Sequence, residues 1–159
     1  MTAISHHVHV HLAGLAAGID LFGRSAAGML DPAVGDLVRD LRAELFEERR
    51  QLRRMANGLG VGESSLLTGA ARVGERIGRL KPNESLLRRT PLTDLVELEA
   101  MRLVVATKRA GWEALQAVAG RHEALDAEEL RGLVEQTNEQ ERLLAEAHVR
   151  TASHVLAPH

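Results

Sequence analysis

The stretch DPAVGDLVRDLRAELFEERRQLRRMANGLG, residues 31 to 60, carries the pattern from which the rest of the chain is read. Asp31 before Pro32 has the form of an N-cap followed by proline at the first helical position, where the missing N–H costs no hydrogen bond. Beyond it Val34, Leu37, Val38, Leu41, Leu45, Leu52, Met55, Ala56 and Leu59 recur at three- and four-residue spacing. At ~100° per residue they fall on one apolar stripe, which predicts a helix over 32–57 with a buried face. Glu48 interrupts that stripe, and Glu44 sits one turn earlier at its edge. Two like charges at this spacing repel by roughly 0.2–0.5 kcal/mol unless a cation lies between them. An inward carboxylate here is a metal ligand, half of a buried ion pair, or a charge at a partly exposed bundle end.

The same signals recur elsewhere. Thr90 before Pro91 marks a second helix start, and Asp126 with Glu129 three residues later has capping-box spacing. With Gly120 ending the preceding helix, the predicted helices are 5–29, 32–57, 91–120 and 126–156. The first pair and the last pair are joined by short connections, whereas about thirty residues separate the second helix from the third. Short connections make antiparallel neighbours, so the expected fold is an all-α four-helix bundle of two antiparallel hairpins joined by a long crossover. Within that crossover Leu66, Ala70, Val73, Ile77 and Leu80 recur at helical spacing, which predicts a short amphipathic helix lying on the bundle. No strand pattern or sequence repeat is present. The 159 residues form one expected domain, with 1–5 and 157–159 as frayed ends.

Composition narrows the function classes. There is no cysteine, so disulfides, thiolate metal sites and cysteine nucleophiles are excluded, and the chain fits a cytoplasmic protein. The N-terminus lacks a basic signal-peptide start, and Asp20 and Arg24 break its apolar run short of membrane-spanning length, so no membrane partner is expected. A net charge of −2 and only three aromatic residues offer neither a field nor a stacking platform for nucleic acid. No nucleophile elbow, phosphate loop or His-Glu-x-x-His helix occurs, and no catalytic residue is assigned.

Two helix hairpins with a long connection between the second and third helices resemble the ferritin-like superfamily over nearly the whole chain. Its metal-binding members carry a carboxylate on the first and third helices and Glu-x-x-His on the second and fourth. Here no histidine has a glutamate three residues before it, and the nearest match is Glu48-x-x-Gln51. The third helix places Glu99 and Arg102 near its apolar residues, the fourth places Glu141 and His148, and the first offers only His11 at its edge. Two readings follow. In the leading one Arg102 meets Glu48 or Glu141 across helices, no cofactor is bound, and the bundle works by self-association or protein interaction. In the alternative, Glu44, Glu48, Glu99, Glu141 and His148 hold Fe or Mn, as an oxidase-type relative would.

Further expectations attach to particular residues. His7 and His11 share a helical face suited to metal, but terminal residues usually fray. Arg49, Arg50, Arg53 and Arg54 form a basic run, read as a solvated face rather than a phosphate clasp. Gly14 and Gly18 suit close approach of a neighbouring helix, and Met55, Met101 and Trp112 suit either core or a small apolar slot. The third helix, apolar nearly all round at Leu92, Leu95, Val96, Leu98, Leu103, Val104 and Val105, is expected to be the most buried. The crossover residues Leu66, Val73 and Ile77, or the second subunit of a homodimer, would cover it.

Overall fold

The structure, a computed structural model, describes residues 2–62 and 89–158. They form four long α-helices: α1 Ala3–Gly28, α2 Pro32–Gly58, α3 Pro91–Val118 and α4 Ala127–Val155, with a short 3-10 turn Ala119–Arg121 after α3. No strand occurs among the described residues. None of these helices is long and apolar enough to cross a membrane. The expected crossover helix and its cover over α3 lie outside the described residues.

The helix starts follow from the capping residues. Asp31 accepts a hydrogen bond from the Ala33 N–H at 2.9 Å. Thr90 and Thr93 exchange side-chain and backbone bonds at 3.3 and 3.2 Å in a full capping box. Asp126 accepts from both Glu128 and Glu129 N–H groups. The Glu129 side chain does not return the bond to Asp126 but pairs with Arg54 of α2, a tertiary contact replacing the local one. α1 starts at Ala3, earlier than the frayed end expected, because Thr2 caps the Ser5 N–H and Val8 and His9 are already buried. α2 stops in a Schellman turn: Gly60 adopts φ +71°, Val61 N–H reaches the Ala56 carbonyl, and Gly60 N–H reaches that of Asn57.

Contacts between helix ends establish direction. At one end, the Leu30 N–H in the α1–α2 turn donates to Asp94 in the first turn of α3, and Val155 of α4 lines the same recess as Leu30 and Pro91. At the other, His7 of α1 reaches the Gly111 carbonyl of α3, and Gly58 of α2 meets Ala124 in the α3–α4 turn. So α2 and α3 both start at the first end, and α1 and α4 both finish there. α1 packs on α2 and α3, and α4 packs on α3 and more lightly on α2.

The core lies along the shared axis and is built from Val8, Leu15, Ile19 and Phe22 of α1, Val38, Leu45, Leu52 and Met55 of α2, Leu98, Met101, Trp112 and Leu115 of α3, and Leu130 and Leu144 of α4. Met55, Met101 and Trp112 are packed inside this core rather than around an open slot. Gly18 permits the close approach expected of it, since a Cβ there would come within 2.8 Å of Val104. Gly14 faces no neighbour and plays no such part.

The expectation for α3 is corrected. Its inner face is buried, but Leu92, Val96 and Leu103 are exposed. α1 and α4 cover two flanks of α3, and the flank opposite the core has no partner among the described residues.

Candidate functional site: a buried ion pair inside the bundle

Glu48 is completely buried, and its partner is Lys108 of α3, whose ammonium lies 2.5 Å from Glu48 Oε2. Lys108 is itself almost fully buried and also donates to Gln140 Oε1 of α4. The Gln140 amide then donates to Glu48 Oε1 at 2.7 Å and to Glu44 Oε2 at 2.6 Å. Gln136 supplies a further bond to Glu44 at 3.2 Å. Three helices are thereby tied together by one network in which both Glu48 oxygens are satisfied, the condition under which buried charge is tolerated. Burial pulls the Lys108 ammonium below the usual lysine range, and the adjacent Glu48 opposes that shift.

Of the two pairings expected for Arg102, the one with Glu48 is not formed and the one with Glu141 is. Arg102 meets Glu141 at 2.8 Å and His148 Nδ1 at 3.3 Å, while His148 Nε2 lies 3.3 Å from Glu99. This second cluster is half-exposed and sits on the α3–α4 surface. The four carboxylates and one imidazole singled out as ligands thus divide: Glu44 and Glu48 are gathered around Lys108, and Glu99, Glu141 and His148 around Arg102. Among the described residues no group of three or more acidic or histidine side chains is arranged to hold a metal ion. Each cluster contains its own tethered cation.

Lys108 and Gln140 escaped the helical projection for different reasons. The buried face of α3 runs Leu98, Met101, Val105, Lys108, Trp112 and Leu115, a three- and four-residue spacing that passes through a lysine. Hydropathy discounts a lysine, although its place between Val105 and Trp112 was a readable signal. On α4 the stripe runs Leu133, Thr137, Gln140, Leu144 and Ala147, one residue away from Glu141, which lies at its edge. A polar run at 137–141 left the phase ambiguous.

The histidine-rich start is helical and packed rather than frayed. His7 and His11 have ring centroids 4.4 Å apart, and the His11 ring fills the space over Gly111. Burial, and then the neighbouring His7, lower the His11 pKa to about 4. In the arginine run, Arg50 pairs with Glu47 and Arg54 with Glu129, and Arg53 is exposed.

No family model, curated protein or solved structure matches this chain. Its function is therefore argued from its own residues.

Proposed function

We propose that this chain is a ferritin-like bundle that does no metal chemistry and acts through self-association or protein interaction. The observation that carries this reading is the position of Lys108. Metal-binding bundles of this type set carboxylates from facing helices around an ion. Here the oxygens of Glu48 and Gln140 already surround an ammonium fixed to α3. A divalent ion would have to displace that ammonium and leave it buried without a partner. The common direction of α2 and α3 supports the ferritin-like connection, because Gly58 and Pro91 lie at opposite ends of the bundle. The absence of cysteine supports a cytoplasmic setting.

Thermal unfolding with added Fe²⁺, Mn²⁺ or Zn²⁺ tests the reading. A ligand at a hundred times its Kd stabilises the native state by about 2.7 kcal/mol, or several degrees in a domain of this size. The expected result is no rise in Tm beyond any contribution removed by His7→Ala, which silences the terminal imidazole pair. An upward shift that survives His7→Ala and vanishes in Glu48→Gln, each read against its own metal-free Tm, would instead establish an interior carboxylate site.

A further inference from the structure

The outward face of α3 is largely apolar, broken by Glu99 and Glu113. Leu92, Val96 and Leu103 are 53%, 54% and 70% exposed, and toward the C-terminal end the same stripe continues through the exposed small residues Ala106, Ala110 and Ala117. With Glu99 and Glu113 included, the positions 92, 96, 99, 103, 106, 110, 113 and 117 alternate in steps of four and three. That is the seam spacing of a helix packed lengthwise against another helix.

Resting on the self-association reading above, we propose that this face joins α3 to α3 of a second copy of the chain, antiparallel, about a two-fold axis between Leu103 and Ala106. The seam is self-complementary only in this sense. Reversing it about its midpoint sets Leu103 against Ala106, Leu92 against Ala117, Glu99 against Ala110 and Val96 against Glu113 of the second copy, so each exposed leucine of one half meets an alanine of the other. A parallel pairing would stack Leu92 on Leu92 and leave the alanine half as a gap. Charge agrees with the antiparallel arrangement. Glu99, exposed at its tip, is brought beside Arg109 of the second copy, whose own-chain bond to Glu113 is a loose 3.8 Å.

A seam from residue 92 to 117 is ~39 Å long and buries on the order of 1,000 Å² in total, the lower range for a specific interface. An interface of that size fits a reversible monomer–dimer equilibrium.

Because the chain has no cysteine, introduced thiols report the geometry without interference. A mixture of Leu92→Cys and Ala117→Cys chains, mildly oxidised, is expected to cross-link between the two variants, while Leu92→Cys alone cross-links poorly. Sedimentation equilibrium of the full chain from micromolar to millimolar concentration is expected to show a dimer. Leu103→Glu, at an exposed position where the fold is checked by circular dichroism, should raise its Kd by about tenfold or more. Cross-linking of Leu92→Cys to itself would overturn the antiparallel arrangement. A dimer unaffected by Leu103→Glu, without the 92–117 cross-link, would overturn this face while leaving self-association standing. A monomer throughout would overturn both.

Discussion

Glu48 and Lys108 are both removed from water, and each is tolerable there only because the other is present. Replacing Lys108 by methionine keeps the volume but strands the carboxylate, so Lys108→Met is expected to cost about 3–5 kcal/mol in urea denaturation. Lys108→Met combined with Glu48→Leu should recover most of that loss, and simple addition of the two single effects would show that the residues share no interaction. Arg102→Met, at a half-exposed pair, should cost about 1 kcal/mol or less. His11 gives a second residue-scale expectation. Its folded pKa of about 4 lies below its ordinary value of 6.5, so between these the unfolded chain binds more protons. Stability from this group is full above pH 6.5 and is lost as pH falls toward 4. The slope of stability against pH in that window should be shallower in His11→Gln than in the parent, by denaturant titration at each pH.

At the scale of the elements, the N-caps were legible because their chemistry is local: Asp31, Thr90 and Asp126 each satisfy N–H groups within three residues. The packing between helices was legible only at Gly18, since it depends on which glycine a partner reaches. Gly111 is the decisive position between α1 and α3. A Cβ there would lie 2.5 Å from the His11 ring, whereas alanine would gain ~1 kcal/mol of helix propensity over glycine. Overpacking of a rigid ring costs about 1–3 kcal/mol, so Gly111→Ala is expected to lower the urea midpoint on balance. Gly111→Ala combined with His11→Ala removes the ring and should be more stable than the sum of the single changes predicts. Equal destabilisation with and without the ring would show that the two helices do not meet there as described.

For the whole molecule, the two hairpins are joined at one end through Asp94, which is nearly fully buried. It accepts from the Leu30 N–H at 2.8 Å and pairs with Arg89 at 2.7 Å. Asp94→Ala should therefore cost about 2–3 kcal/mol, the range for hydrogen bonds to a charged group. Hydrogen exchange should show the Leu30 amide losing protection while amides at the Gly58–Ala124 end keep theirs. Loss of protection at both ends alike would mean that the hairpins separate as a unit, with Asp94 holding no local contact of its own.

Four long helices, the caps of three of them and an inward carboxylate on α2 could all be read along the chain. These features repeat or resolve within a few residues, so periodicity and capping chemistry suffice to read them. Which cation Glu48 meets depends instead on how the helices pack. Lys108 is sixty residues away, on a helix whose rotation follows from how Gly18 and Gly111 let it settle against α1. A one-residue change in the phase of α4 likewise separates Gln140, inside the network, from Glu141 at the surface. Helix phase is set by packing several side chains at once, and no single stretch contains that information.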